Sequence, residues 1–251
     1  MKRFLASILQ RTEPPAFPDI APARPFVAIG DVHGRADLFA ELLRGLREDV
    51  PDLPVVSVGD LIDRGPDSAG VLDLAERAGV QCLRGNHETM LLEFIDNPAS
   101  DGPRWLANGG VQTLESFGVT PPGPDAPVDR LCEARDAFLY AMGSTLVDRI
   151  RAMPLIWKTG NVAVVHAGPD PRAPLDPSRA HGILWGHPDF FREPRPDGTW
   201  IVHGHYARAE PEVAPGRIGI DTTAYQSGML TAAVISPGSV RFLSTQPSRE
   251  S

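Results

Sequence analysis

Short motifs rich in aspartate, histidine and asparagine follow apolar runs at three points in the first 90 residues of the chain. They read Gly-Asp-Val-His-Gly at residues 30–34, Gly-Asp-Leu-Ile-Asp-Arg-Gly at 59–65 and Arg-Gly-Asn-His-Glu at 84–88. Carboxylate, imidazole and amide oxygen together suit manganese, iron or zinc, whereas calcium and magnesium sites seldom use so many histidines. The motifs therefore indicate a transition-metal site assembled from distant parts of the chain.

Two further histidine motifs follow apolar runs in the second half of the chain. His166 comes directly after Val162–Val165, and the pair His203 and His205 comes after Trp200–Val202. A lone histidine after a strand is more often structural than a metal ligand. Here, however, five of the seven histidines lie in such motifs. The repetition favours one shared metal centre over several separate structural roles.

The elements that must position these residues alternate between β-branched apolar runs and segments of helical period. The runs at 26–29, 55–58 and 80–83 predict strands, and the segments 36–47 and 68–77 predict helices. Ser68 is the expected cap of the second helix. This alternation is typical of βαβ units in a parallel sheet, where the carboxyl ends of neighbouring strands meet in one crevice. We therefore expect the three motifs to lie together.

The middle of the chain differs in composition from the segments on either side. Residues 97–129 carry many prolines and glycines around a Trp-Leu-Ala-Asn-Gly-Gly run, which we interpret as part of a cap-like insertion at about 96–135. Residues 128–153 predict one or two amphipathic helices. The remaining strand-like runs lie at 155–157, 162–165, 200–202, 217–220, 229–235 and 240–243.

These patterns predict one domain with short flanking segments. Residues 1–25 form a proline-rich arm, residues 26–244 the domain, and residues 245–251 a frayed polar tail. The 251 residues are enough for one full hydrophobic core. No helix offers an obvious heptad seam, so we expect a monomer.

Composition excludes several classes of partner. Twenty-four basic and 32 acidic side chains give a formal charge of −8, which disfavours binding to nucleic acid or anionic lipid over a broad surface. Two cysteines without C-x-x-C spacing indicate a reducing compartment rather than a disulfide framework. The apolar run at 4–9 is too short for a signal peptide, and we expect a cytoplasmic protein with no membrane partner.

The three motifs resemble the signature motifs of the calcineurin-like metallophosphoesterases. The Asp-Arg-Gly ending at residues 63–65 is similar to that of the serine/threonine phosphoprotein phosphatases, in particular their bacterial and phage members. The resemblance extends over most of the chain. It implies an α/β fold of four layers, in which two mixed β-sheets pack face to face between helices. It also implies a phosphomonoesterase with two divalent metal ions, most simply Mn²⁺, with Fe or Zn as alternatives.

The resemblance assigns roles to individual residues. Asp31 and His33 would hold one metal ion, Asp60 would bridge both, and Asn86, His166 and His205 would hold the other. His87 would be the general acid, oriented by Asp63, while a metal-bridging hydroxide attacks the phosphorus. Arg64 would bind the phosphate oxygens through its planar guanidinium, together with Asn86. Glu88 is expected to support the nearby backbone, and His203 to have a structural role.

The chain departs from the family pattern at one position. Family members carry a second phosphate-binding arginine shortly after a tryptophan, and the corresponding position after Trp185 is His187. We expect His187 to contact phosphate in a pH-dependent way; the alternative is that Arg192 takes the place of the missing guanidinium.

Two substrates fit this resemblance. The leading hypothesis is phosphoserine or phosphothreonine in proteins, with phosphotyrosine or small aryl phosphates as further substrates. The alternative is diadenosine tetraphosphate, since the symmetrical hydrolases of that compound share most of this fold and metal site. Those hydrolases generally lack an aspartate at the position of Asp63, because a phosphate leaving group needs less protonation than an alkoxide. A nuclease fits the charge of −8 poorly, and a phosphate-binding protein without activity would not need both His87 and Asp63.

Overall fold

The computed structural model describes residues 17–245. Within this range, ten strands form two five-stranded sheets, and helices lie between many of the strands. The strands are β1 (Phe26–Ile29), β2 (Val55–Ser57), β3 (Gln81–Cys82), β4 (Ile156–Thr159), β5 (Val162–Val165), β6 (Trp200–His203), β7 (Glu212–Ala214), β8 (Arg217–Gly219), β9 (Thr231–Ser236) and β10 (Ser239–Ser244). The helices are α1 (Ala36–Asp49), α2 (Ser68–Arg77), α3 (Asn86–Asp96), α4 (Pro98–Trp105), α5 (Val111–Ser116), α6 (Val128–Met142), α7 (Ser144–Ala152), α8 (Ala180–Trp185) and α9 (Ala224–Ser227), with a π-turn at Leu106–Gly110 and a 3₁₀ turn at Pro177–Arg179.

Both sheets are mixed. The first has the order β10-β9-β1-β2-β3, with β1, β2 and β3 parallel and β9 antiparallel to β1. The second has the order β4-β5-β6-β8-β7, with β5, β6 and β8 parallel. In the first sheet the parallel strands occupy one side, with β3 at the edge, and in the second sheet they lie in the centre; within each sheet their carboxyl ends meet at one end of the sheet.

Alternating side chains of the central strands divide the core into layers. In β1, Phe26 and Ala28 contact apolar residues of the second sheet, whereas Val27 and Ile29 pack beneath helices such as α1. The outer face of the second sheet packs against α8 through Ile183 and neighbouring residues. This arrangement confirms the predicted fold of two mixed sheets flanked by helices, and it follows from the period of two along a strand.

The proline- and glycine-rich middle of the chain is largely helical. Pro98 lies in the first turn of α4, where a missing N–H costs little, and Gly109 adopts φ of 108° in the turn between α4 and α5. Trp105 is fully buried beside Phe94 of α3 and Phe138 of α6. This segment therefore packs into the main core, and its predicted role as a cap stays a prediction.

The cap of α2 differs from the sequence prediction. Asp67, not Ser68, is the N-cap, and its side chain accepts a hydrogen bond from the Gly70 N–H at 2.7 Å. Ser68 is already in the helix, and its hydroxyl accepts a hydrogen bond from the Asp63 N–H at 3.0 Å. The prediction of Ser68 as the cap was wrong because both residue types cap helices well and the sequence does not fix the register.

The described part of the predicted N-terminal arm lies against the second sheet. The Trp200 indole donates to the Pro18 carbonyl at 2.9 Å, and the Ala21 N–H donates to the Asn161 side chain at 2.7 Å. Ile20 is buried between the sheets. Residues 1–16 of the arm and 246–251 of the tail lie outside the described residues. In residues 17–245, none of the helices has the length and apolar character needed to cross a bilayer.

Candidate metal centre

The predicted ligands follow the ends of five parallel strands. Asp31 and His33 follow β1, Asp60 follows β2, and Asn86 begins α3 four residues after the end of β3. The other two, His166 and His205, follow β5 and β6. Both sheets thus contribute side chains to one crevice, as expected for carboxyl ends of parallel strands.

The backbone is strained at this crevice. Six non-glycine residues in the described range have positive φ, and five of them belong to the predicted site: His33, Asp60, Asp63, Arg64 and His205. Left-handed backbone costs a non-glycine residue about 1–2 kcal/mol, so it persists where the surrounding structure enforces it. The clustering indicates that the strand ends turn sharply to aim these side chains at a common point.

Asp60 lies at the centre of the ligand set. Its Oδ2 atom is 3.6 Å from His33 Nε2 and 3.5 Å from His166 Nε2. Asn86 Oδ1 lies 2.7 Å from His166 Nε2 and 3.0 Å from His205 Nδ1. Donor atoms of His33, Asp60 and His87 lie within 4.8 Å of one another, as do those of Asp60, His166 and His205. Asp60 belongs to both groups, which is the placement a bridging carboxylate needs.

Asp31 is held at the edge of this cluster by backbone. Its Oδ2 accepts a hydrogen bond from the His205 N–H at 3.0 Å. A Cβ atom on Gly204 would lie 1.8 Å from Asp31 Oδ1, so only glycine fits before His205. Burial, followed by the carboxylates of Asp221 and Asp60, raises the pKa of Asp31 well above its usual value. Crowding of buried carboxylates of this kind is relieved by a bound cation.

The histidines of the cluster have the protonation state that metal binding requires. Burial lowers the pKa of His33 to about 3 and that of His166 to about 4, despite the nearby Asp60 carboxylate. Both imidazoles are therefore neutral at pH 7 and have a lone pair to donate. Neutral nitrogen donors around a shared carboxylate, with an amide oxygen, fit divalent transition metals.

His87 and Asp63 form a pair beside the ligands. His87 Nδ1 lies 2.7 Å from Asp63 Oδ2, and its Nε2 faces the centre, 3.9 Å from Asp60 Oδ2. Asp63 also accepts hydrogen bonds from the Trp105 indole at 3.0 Å and from the Thr113 hydroxyl at 2.7 Å. Burial lowers the pKa of His87, but the Asp60 and Asp63 carboxylates outweigh it and the net shift is upward. The pair favours an imidazolium that can donate a proton into the crevice.

Glu88 connects the second and third motifs. Its carboxylate accepts hydrogen bonds from the N–H groups of Asp60 at 2.9 Å, Leu61 at 2.8 Å and Gly85 at 2.8 Å. Burial, followed by the Asp60 charge, raises its pKa to about 7. The predicted support of backbone by Glu88 is confirmed, and these bonds fix the strained turn that carries Asp60.

Arg64 lies against an aromatic ring that the sequence analysis missed. Its guanidinium is 5.0 Å from the centre of the Tyr225 ring, and that ring meets His33 edge-on at 5.3 Å. The Arg64 N–H donates to the Gly109 carbonyl at 3.2 Å. Tyr225 lies in α9, and no sequence motif marks it as part of the site.

In the described structure, neither candidate for a second phosphate-binding group forms a hydrogen bond with a predicted metal ligand. His187 Nε2 lies 3.9 Å from Asp170, and its Nδ1 accepts a hydrogen bond from the Asp189 N–H at 3.3 Å. The Arg192 guanidinium pairs with Asp189 at 2.7 Å on the surface. The phosphate contact predicted for His187 stays a prediction.

His203 has the structural role expected of it. It is buried, its Nδ1 lies 2.9 Å from the Gly204 carbonyl oxygen, and its ring packs among those of Phe190, Phe191 and Tyr206. Burial lowers its pKa to about 3, so the ring is neutral. This aromatic cluster supports the turn that presents His205.

Comparison with known proteins agrees with this geometry. A family model described as calcineurin-like phosphoesterase matches residues 24–209, which contain every predicted ligand. The chain belongs to this family. Its members are phosphoesterases, and the ligand cluster at the strand ends gives this member candidate residues for divalent metal.

Individual relatives of this calcineurin-like phosphoesterase differ in substrate. A segment of 82 residues is 45% identical to serine/threonine-protein phosphatase 1 of Salmonella typhimurium strain LT2, and covers 33% of this chain and 37% of that protein. The chain is 29% identical over 236 residues to an asymmetrical bis(5'-nucleosyl)-tetraphosphatase, PrpE, of Geobacillus sp. strain WCH70, with 81% of this chain and 87% of that protein covered. A crystal structure described as a candidate diadenosine tetraphosphatase superposes with a TM-score of 0.62 at 22% identity, covering 91% of this chain and 99% of that one.

Proposed function

We propose that the chain is a phosphomonoesterase that removes phosphate from phosphoserine and phosphothreonine in proteins. The observation that carries the proposal is the buried pair of His87 and Asp63, whose imidazole faces the ligand cluster at its Nε2 atom. A serine or threonine alkoxide is a poor leaving group and needs a proton as the P–O bond breaks. Asp63 orients the imidazole that would provide this proton, and its carboxylate raises the pKa of that imidazole.

Two divalent metal ions, which we propose to be Mn²⁺, would supply an activated water nucleophile and neutralise phosphoryl charge. Asp31, His33 and Asp60 would hold one ion, and Asp60, Asn86, His166 and His205 the other. Arg64 would bind the phosphoryl oxygens with its planar guanidinium, oriented by the Tyr225 ring. His87 would then donate the proton from Nε2 to the departing oxygen.

The second candidate function is hydrolysis of a bis(5'-nucleosyl) tetraphosphate. It is favoured by the Geobacillus relative, because that alignment covers most of both proteins, whereas the Salmonella phosphatase matches over a third of each. A phosphate leaving group is stable without a proton, so this reaction would depend much less on His87 and Asp63.

The experiment compares the two substrates directly. Protein stripped of metal and reloaded with Mn²⁺ is given a phosphothreonine peptide or diadenosine tetraphosphate at equal concentration, and the products are identified. Our proposal predicts orthophosphate from the peptide at the higher kcat/KM. An Asp63→Asn variant should lose activity on the peptide and keep most of any activity on the tetraphosphate. Nucleotide products at the higher kcat/KM would support the second function instead.

A further inference from the structure

Besides Arg64, Arg104 also has a guanidinium connected to the candidate metal centre, through ring contacts described below. The Arg104 guanidinium stacks 4.7 Å above the Trp185 ring, and that ring meets the imidazole of His205 edge-on at 6.4 Å. Arg104 lies in the last turn of α4, and Trp185 is the last residue of α8. Two successive ring contacts therefore join Arg104 to a predicted ligand.

The segment that carries Arg104 is tied to the reacting groups. The next residue, Trp105, is fully buried and donates its indole N–H to Asp63. The Asn108 side chain donates to the Arg104 carbonyl at 2.8 Å, and the Gly109 carbonyl accepts from the Arg64 N–H. The end of α4 therefore has a fixed position relative to both Asp63 and Arg64.

The Arg104 guanidinium has donors to spare. In residues 17–245 its one polar side-chain partner is Glu93, with 3.4 Å between Nη1 and Oε2. The two side chains are 48% and 41% exposed, so the pair contributes little stability. The Nε and Nη2 groups remain to donate hydrogen bonds to two oxygens of one anion, such as a carboxylate or a phosphate.

We propose that Arg104 binds a second anionic group of the substrate, beyond the phosphoryl group that is transferred. In a phosphoprotein this group is an acidic side chain beside the phosphorylated residue; the next phosphate of a polyphosphate has the same chemistry. The inference rests on the proposed function. Stacking on Trp185 orients the guanidinium, and a cation at this point offsets the repulsion that a chain of net charge −8 exerts on an acidic substrate.

The test uses three substrates and an Arg104→Gln variant of the Mn²⁺-loaded protein. The substrates are a phosphothreonine peptide flanked by glutamates, the same peptide with glutamines, and 4-nitrophenyl phosphate. We expect KM for the acidic peptide to rise about three- to tenfold, the effect of losing one ordinary hydrogen bond at a half-exposed site. KM for the other two should stay within about twofold, with kcat unchanged for all three. Arg130→Gln is the control, because it makes the same change of charge at an exposed Arg130–Glu133 pair on α6.

A second variant should act in the opposite direction. Glu93→Gln removes the anion that competes for Arg104, so KM for the acidic peptide should fall and that for the glutamine peptide should not. Added salt should reduce both effects by screening. An equal rise of KM on all three substrates in Arg104→Gln, or no rise on the acidic peptide, would overturn the inference.

Failure of the proposed function has a different signature. If the protein hydrolyses diadenosine tetraphosphate and neither peptide, the phosphoprotein function is wrong, and the Arg104→Gln comparison is made on the tetraphosphate against 4-nitrophenyl phosphate. A KM increase confined to the tetraphosphate would still support a second anion site at Arg104. Equal KM values for wild type and variant on both compounds would reject it.

Discussion

Tyr225 lies between two groups with different roles, because its face supports the Arg64 guanidinium and its edge contacts His33. Sequence motifs identify Arg64 and His33 from their place after strands. Tyr225 has no motif of its own, and its role arises only when α9 packs against the centre. Contacts of this kind depend on tertiary structure, so residue spacing does not predict them.

Tyr225→Leu should weaken phosphate binding. Loss of the ring leaves Arg64 without its stacking partner, a contact of about 0.5–2 kcal/mol, so KM should rise about two- to thirtyfold with little change in kcat. Tyr225→Phe keeps the ring and should behave like the wild type. Steady-state kinetics on 4-nitrophenyl phosphate would check both. Equal impairment of the Phe variant would instead assign the effect to the hydroxyl group.

Among the elements, the sequence predicts most of the first sheet, and the candidate ligands follow its strands. The strands β1, β2 and β3 and the helices α1 and α2 follow from apolar periodicity, which a parallel sheet with crossover helices makes regular. The strand β7 was missed because its residues are largely exposed at a sheet edge. The helices α4 and α5 were not predicted, because the prolines and glycines of 97–129 led only to the interpretation of a cap-like insertion. Pro98 lies in the first turn of α4, where it is well tolerated, but Gly102 and Pro103 also lie in α4 and Gly109 lies in the turn before α5.

The helix α5 contributes Thr113, whose buried hydroxyl donates to Asp63. Thr113→Val should cost about 1–3 kcal/mol of unfolding free energy, because it leaves a buried carboxylate short of a donor. It should also lower kcat on a phosphothreonine peptide more than on 4-nitrophenyl phosphate, since the latter has a better leaving group. Urea unfolding and kinetics on both substrates would check this. Thr120→Val, at an exposed position, is the matched control, and equal losses in both variants would contradict the account.

At the scale of the whole molecule, stability should depend on pH through an ion pair remote from the predicted ligands. Burial alone would raise the pKa of Asp197, but hydrogen bonds from Arg195 and Thr199 lower it to about 2. A carboxyl group with a lowered folded-state pKa stabilises the protein above its unfolded pKa of about 4 and loses that effect as pH falls.

Asp197→Asn should therefore destabilise the protein near pH 7 by about 1 kcal/mol, a value discounted because the carboxylate is half exposed. The difference from wild type should shrink between about pH 4 and pH 2. Urea unfolding across this range is the measurement. A difference that stays constant with pH would exclude the ionic origin.

Asp60 is proposed to hold metal, and His87 to deliver a proton. The most direct test measures metal content together with activity on a phosphothreonine peptide and on 4-nitrophenyl phosphate. We predict that Asp60→Asn loses metal and both activities. His87→Asn should keep two metal ions per chain and lose about 10²–10⁴-fold in kcat on the peptide, with a much smaller loss on the aryl ester. Equal losses of His87→Asn on both substrates, or loss of its metal, would contradict the account.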